Sequence, residues 1–286
     1  MSARDGWAST PAMTAADTPT RLAARYAELL RSPVLDHDPA DRADMISTRT
    51  RHLLILALID RHLAGPRETI VDLGPGNGAL LSLARELGFT KLVAVDHAHW
   101  EPQRSFLTGR DDVEVLTANF NELRFLDAFA NGSVDAVVST EVLEHVFNHP
   151  RGYLCECWRI VRPGGLVAIT TPNPSTFANA VRLAAGRPTL WNDEWFAKTP
   201  KVEDGELVAY PFVHYREYPP SVFRQLLADL PGASIVDAGF VAHAGETSGP
   251  RVKSLALTAV GRLGLGRWRP VSHTQYAIVK KGLPGP

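Results

Sequence analysis

Residues 69–84, Thr69-Ile70-Val71-Asp72-Leu73-Gly74-Pro75-Gly76-Asn77-Gly78-Ala79-Leu80-Leu81-Ser82-Leu83-Ala84, decide the fold. Ile70-Val71 is a short β-branched run and reads as a strand. Gly74, Gly76 and Gly78 follow it. They suit a backbone that must turn through positive φ and admit a ligand with no Cβ in its way. Beyond them Leu80, Leu83, Ala84 and Leu87 recur at helical spacing, and Gly88 marks a stop. The unit is strand, glycine loop, helix. The helix start offers free N–H groups and the positive end of a dipole, which suits a carboxylate or a phosphate.

The same alternation continues downstream. Leu92–Val95, Val113–Leu116, Val134–Val138 and Leu166–Ile169 read as strands, with Pro163-Gly164-Gly165 expected to form a turn before the last. Ser221–Leu230 reads as a helix, and Ser234–Ala242 and Thr274–Lys280 as strands. Strands alternating with helices predict a doubly wound α/β fold, a mostly parallel sheet with helices on both faces. Upstream, residues 20–30 place Leu22, Tyr26 and Leu29 or Leu30 on one helical face, and a second helix runs from about Asp41 to Leu63. The expected organisation is a flexible start (1–19), N-terminal helices (20–64) and a main domain (65–283) with a lid inserted at about 174–220. The lid holds Phe177, Trp191, Trp195, Phe196, Tyr210, Phe212, Tyr215 and Tyr218. Those rings serve either a small apolar core or a stacking surface for a flat or sugar-like substrate.

Composition narrows the function. Of 286 residues, 45% are hydrophobic and 21% charged, which excludes a disordered chain and a fibrous repeat. A formal net charge of -1 argues against a globally basic nucleic-acid binder. No apolar run approaches the roughly 18 residues of a membrane span, and the start lacks the basic-then-apolar pattern of a signal peptide. Cys155 and Cys157 are too close for an ordinary disulfide and read as packing residues of a protein from a reducing compartment, so a cytoplasmic location is expected. From Arg251 onward lie seven Lys/Arg and no Asp/Glu. This reads as a solvated basic face or as a peripheral contact for a membrane surface or an anionic substrate.

The glycine loop also satisfies the dinucleotide pattern through Gly74, Gly76 and Ala79. Asp72, two residues before the first glycine, argues otherwise. A carboxylate there repels a pyrophosphate but holds an ammonium. Asp96 ends the next strand, where this kind of fold meets ribose hydroxyls with an acid. A ligand with an ammonium, a carboxylate and a ribose fits both acids, and S-adenosylmethionine has all three. The ordered segments IVDLGPGNG, VAVDH, TANFNELRF, VDAVVSTEVLEHV and WRIVRPGGLVAITTPN, over about residues 69–173, resemble those of class I S-adenosylmethionine-dependent methyltransferases. The resemblance is nearest to the small-molecule group that includes ubiquinone-type O-methyltransferases.

That resemblance implies a seven-stranded sheet and a set of roles. Gly74, Gly76, Asn77 and Gly78 form the cofactor loop, with Asp72 near the methionine end. Asp96 takes the ribose hydroxyls, with His97 beside it. Asn119 and Phe120 fall where the family meets adenine; the family usually has Asp at the first of these. Thr140 and Glu141 border the methionine moiety, and Asp135 is structural. The implied reaction is methyl transfer to an oxygen of a small molecule: a sugar, a glycan end or a secondary metabolite. Methyl transfer needs an aligned acceptor and a pocket that excludes water. A hydroxyl acceptor also needs a base, for which His145 and His214 are the candidates.

Three rival readings stand beside this one. Glu141, Glu144, His145 and His214 resemble the metal-binding set of small-RNA terminal 2′-O-methyltransferases, although EVLEH alone is common and the main reading needs no metal. A nonenzymatic S-adenosylmethionine-binding protein on the same fold is the second. A dehydrogenase is the third, opposed by Asp72.

Overall fold

The computed structural model describes residues 18–36, 39–97, 106–107, 110–189, 201–203, 206–208, 213–241 and 272–283. Two helices open it, α1 (Thr18–Leu29) and α2 (Pro39–His62). A seven-stranded sheet follows: β1 (Thr69–Leu73), β2 (Lys91–Asp96), β3 (Val113–Thr117), β4 (Val134–Thr140), β5 (Val161–Pro172), β8 (Ala233–Val241) and β9 (Thr274–Lys281). A separate two-stranded pair, β6 (Lys201–Glu203) and β7 (Glu206–Val208), lies between β5 and β8 in the chain. The remaining helices are α3 (Ala79–Ala84), α4 (Pro150–Ile160), α5 (Phe177–Ala184) and α6 (Pro220–Ala228).

The sheet order is β3-β2-β1-β4-β5-β9-β8. The first five strands run parallel, while β9 is antiparallel to both β5 and β8. Strand order reverses between β1 and β4. A crevice therefore opens at their carboxyl ends, the place where open α/β sheets take ligands.

Burial on both faces explains the unbroken apolar runs of β1, β2 and β4. Parity assigns each residue to a face. Ile70, Leu92, Ala94, Ala136 and Val138 join the core beneath α1, α2 and α3. Val71, Leu73, Val93, Val95 and Val137 join the other core, beneath α4 and α6. Asp72 shares the parity of Ile70 and so lies on the α2 side. The N-terminal helices belong to the same packing unit as the sheet, since Leu22, Tyr26, Ile55, Leu56 and Ile59 share one core with Leu80 and Leu92.

Two local expectations change. The segment Pro163-Gly164-Gly165 does not precede β5 but loops out within it. Val161 pairs with Val134, and pairing resumes at Leu166 with Ala136. Gly164 sits at φ 79, and a Cβ on Gly165 would stand 2.7 Å from the Asp135 carbonyl. The loop is tied down by Asp135, whose carboxylate accepts from the Glu68 and Thr69 amides and from Arg162 Nε. Of the two cysteines only Cys157 packs. Cys155 is exposed, because residues two apart on α4 face different ways.

Within the expected lid, α5 rests on the surface with no buried residue, and Phe177 is 70% exposed. Tyr218 is buried. Trp191, Trp195, Phe196, Tyr210, Phe212 and the basic stretch 251–271 lie outside the described residues. No helix among the described residues is long and apolar enough to cross a membrane.

Candidate functional site

Three loops meet at the crevice, joined by backbone bonds. The Gly74 amide donates to the Val95 carbonyl and the Ala118 amide to the Asp96 carbonyl. The glycine loop after β1, the end of β2 and the Ala118–Phe120 turn thus form one rim. Gly74, Gly76 and Gly78 all have positive φ, 69, 55 and 75. A Cβ on Gly74 would strike Val142 at 2.6 Å, and one on Gly78 would strike Leu107 at 2.5 Å. At Gly76 it would meet nothing within 4 Å, so there the backbone faces open space. Asn77 turns its Oδ1 back to accept from the Ala79 amide at 3.0 Å, fixing the loop rather than the space above it.

Asp72 is 1% exposed, and its Oδ1 has no hydrogen-bond partner among the described residues. Burial and the nearby Asp96 push its carboxyl well above the usual carboxylate range, against the pull of Arg51. Burial likewise pushes Asp96 up to about 6, offset in part by the His97 amide, which donates to Asp96 Oδ1 at 2.7 Å. Asn119 closes a turn through Oδ1, accepting from the Asn121 amide, and its Nδ2 donates weakly to Glu122 at 3.4 Å. Phe120 packs edge-on against Phe125 and Tyr153. Thr140 ends β4 in register with Thr170.

Glu141 follows with φ 56, a left-handed conformation that costs about 1–3 kcal/mol outside glycine and concentrates at functional sites. Thr170 holds it there. The Glu141 amide donates to the Thr170 carbonyl at 3.1 Å, and the Thr170 hydroxyl donates to Glu141 Oε1 at 2.7 Å. Glu141 Oε2 lies 3.9 Å from Arg51 Nη1.

Arg51 is the residue that the sequence reading missed. It projects from α2, its side chain is 11% exposed, and its buried Nε has no hydrogen-bond partner among the described residues. Carried back one turn, the stripe of Ile55 and Leu58 lands on position 51. That spacing marks the side chain as facing the sheet. Glu141, Asp72 and Glu144 lie within electrostatic reach of this guanidinium, and Asp96 within reach of Asp72. Asp96 raises the proton affinity of Asp72, and Glu141 that of Glu144. A site so negative favours a cationic ligand and repels a pyrophosphate. Asp72 and Arg51, each with one buried atom left without a hydrogen bond among the described residues, are complementary to an amino-acid zwitterion, Asp72 to the ammonium and Arg51 to the carboxylate.

At the other end of the crevice, the turn Leu143–His145 meets residues 213–217. The Glu144 carbonyl accepts from the Tyr215 and Arg216 amides at 2.9 and 3.3 Å. His145 Nδ1 lies 3.0 Å from the Val213 carbonyl and donates to it, which leaves the lone pair on Nε2. His214 Nδ1 lies 2.9 Å from Glu217 Oε1, and the two imidazoles stand 5.0 Å apart, edge to face. Burial and His214 pull His145 down to about 4, so it is neutral at pH 7. Glu144 is wholly buried. Its Oε2 accepts from the Thr171 hydroxyl at 3.0 Å, and its Oε1 has no hydrogen-bond partner among the described residues. The structure thus brings together both candidate bases, which lie 69 residues apart in the chain.

Comparison with known proteins gives the family of the chain. A family model described as a methyltransferase domain matches residues 38–230. A Mycobacterium tuberculosis protein named "Probable S-adenosylmethionine-dependent methyltransferase Rv3030" is 35% identical over 145 residues, 50% of this chain and 39% of its own length. The ubiquinone biosynthesis O-methyltransferase of Xanthomonas oryzae is 34% identical over 121 residues, 42% of this chain and 49% of its own. The chain therefore spans about half or less of the length of these curated relatives. A solved S-adenosylmethionine-dependent methyltransferase from Mesorhizobium loti shares the fold. Its TM-score is 0.51 at 17% identity, over 79% of this chain and 98% of that one.

Proposed function

The chain belongs to the methyltransferase-domain family, whose cofactor is S-adenosylmethionine, and on that premise we propose that it methylates an oxygen of a hydroxylated small molecule. The observation that carries the cofactor assignment is a pair of buried polar atoms with no hydrogen-bond partner among the described residues, Asp72 Oδ1 and Arg51 Nε, on an acidic and a basic side chain. Asp72 accepts from the cofactor's ammonium, Arg51 donates to its carboxylate, and Asp96 accepts from its ribose hydroxyls. Gly76 lets it approach the loop. His97, Asn119 and Phe120 line the nucleoside end, and Thr140 and Glu141 the methionine end. Bound there, the cofactor supplies an electrophilic methyl group.

The rest of the work falls to the chain. It must align the acceptor, exclude water and remove a proton. The imidazoles of His145 and His214 stand beyond the methionine end, where the acceptor hydroxyl loses its proton. A sugar, a glycan end or a secondary metabolite fits this reading. The partial likeness to ubiquinone O-methyltransferases favours oxygen as the acceptor atom.

Calorimetric titration with S-adenosylhomocysteine tests the cofactor assignment. Micromolar binding is expected, with Asp72→Asn and Arg51→Met each weakening it about 10- to 100-fold, the worth of a hydrogen bond to a charged group. Absence of binding by folded protein would overturn the assignment. Tight binding without methyl transfer to any of a panel of hydroxylated acceptors would favour a nonenzymatic role.

A further inference from the structure

We propose that a cavity between the start of α4 and one face of α6 binds a small molecule built from an apolar ring and one acidic group, a carboxylate or a phosphate. The cavity holds about 250 Å³. Its eight lining residues include two arginines, Arg151 and Arg216, and no acid. The whole chain has a formal net charge of -1, so this cationic character is local. None of the eight carries a role toward the cofactor or the acceptor's proton in the reading above. The cavity is therefore a second site.

Arg216 supplies the charge. Its amide donates to the Glu144 carbonyl at 3.3 Å, which fixes its main chain. Its guanidinium carbon lies 5.4 Å from the centroid of the Tyr218 ring, and Tyr218 is 1% exposed. Among the described residues no acceptor pairs with that guanidinium. Stacking on a buried ring keeps the planar fork of donors oriented, so less freedom is lost when the fork meets a carboxylate or a phosphate. Arg151 is already shared. Its Nη2 donates to the Asp229 carbonyl at 3.0 Å, and its Nη1 lies 3.6 Å from Asp229 Oδ2. That tie joins the two walls of the cavity. His149 adds a neutral donor: its Nδ1 accepts from the Gly152 amide at 2.8 Å, so the neutral ring carries its proton on Nε2.

The rest of the wall is apolar. Val222 and Leu226 are four residues apart on α6 and share one face. Pro150 and the Tyr218 ring complete it. A cavity of roughly 150 Å³ accommodates benzene, so a ring bearing one acidic group fits here. The ring buries apolar surface, and by displacing water it strengthens the contact between Arg216 and the acid. Inorganic phosphate alone would leave the apolar wall wet. A neutral ring alone would leave Arg216 without a counter-charge. Each half should therefore bind more weakly than the two joined.

The test is calorimetric titration of the full chain with benzoate and, separately, with phenyl phosphate. Inorganic phosphate and benzyl alcohol serve as the two halves. At least one of the anionic rings is expected to bind one equivalent with a dissociation constant below about 1 mM. Each half should bind about tenfold more weakly or worse, and added salt should weaken the anionic rings. Arg216→Met, at an exposed position, should weaken binding about tenfold or more, and Arg216→Lys should restore part of it. Leu226→Trp fills the cavity and keeps both arginines, so it should abolish binding. Thermal unfolding checks that each variant is folded. No saturable binding of either anionic ring by folded parent protein would overturn the proposal, as would undiminished binding by Arg216→Met. Inorganic phosphate binding as tightly as phenyl phosphate would also overturn it, since the apolar wall would then play no part. The titration uses neither S-adenosylhomocysteine nor a methyl acceptor, so its outcome stands apart from the reading of the crevice.

Discussion

Asp96 sits where burial and hydration are nearly balanced, and its pKa of about 6 puts that balance within reach of experiment. On the role proposed for Asp96, ribose hydroxyls donate to the ionised carboxylate, so the ligand selects the deprotonated form. Affinity for S-adenosylhomocysteine should rise with pH through 6 and be about tenfold weaker at pH 5 than at pH 7. Calorimetry across that range checks it, and Asp96→Asn should flatten the profile. Asp96→Ala should weaken binding by about 1.5–3 kcal/mol at pH 7, and unchanged affinity would remove the ribose assignment. The same shift sets the stability of the free protein. A carboxyl with a raised folded pKa favours the native state below its unfolded value near 3.8, and that advantage is lost as pH rises through about 6. At this scale the sequence was legible where function is local. Asp72, Gly76 and Asp96 lie at fixed offsets from a strand end and could be found by spacing. Arg51 could not be told from Arg49 by composition, because which arginine faces the sheet depends on how α2 packs.

Elements explain the one misplaced boundary. Pro-Gly-Gly is strong turn chemistry, and residues 163–165 do turn. Yet Val161 still pairs with Val134, because the sheet tolerates a looped-out segment when a buried carboxylate holds its base. Asp135→Ala would leave two backbone amides and Arg162 without their acceptor. It should lower unfolding stability by about 3–5 kcal/mol, read from the urea midpoint. Asp135→Asn, which keeps oxygen and shape but loses charge, should cost less. A result within about 0.5 kcal/mol of the parent for the alanine variant would show that the loop is not held this way. The paired histidines belong to this scale too. His145→Ala and His214→Ala should spare S-adenosylhomocysteine affinity while slowing transfer to a hydroxyl acceptor about 10²- to 10⁴-fold. Full activity in both would remove them from the proton's path.

Across the molecule, the three charged side chains proposed to grip the cofactor, Arg51, Asp72 and Asp96, come from α2, β1 and β2. Ligand binding should therefore stabilise the fold as a unit. At 100 times its dissociation constant, S-adenosylhomocysteine should add about 2.7 kcal/mol. For a chain of this size that raises the melting temperature by several degrees, which a thermal shift measures. Arg51→Met should reduce the rise and also lower the melting temperature of the free protein, since it removes the positive charge that faces Glu141, Asp72 and Glu144. The mostly parallel sheet was readable from alternation and its seven strands from the resemblance, while the strand order came from the structure. The meeting of His214 with His145 was not, because it depends on the clamp between residues 213–216 and 144–145, which involves backbone atoms that every sequence shares.

That clamp joins late chain to early chain with few side chains involved. On the proposed roles, the groups that hold the cofactor lie before residue 142, and the segment bearing His214 enters after the sheet's parallel strands are complete. A chimaera with its crossover just after β5 would exchange the acceptor-facing segment for a relative's and leave the cofactor pocket whole. The main-chain contacts at Glu144 would receive the new segment whatever side chains it carried. In a lineage, such a seam lets one inherited methyl donor serve a changing set of acceptors.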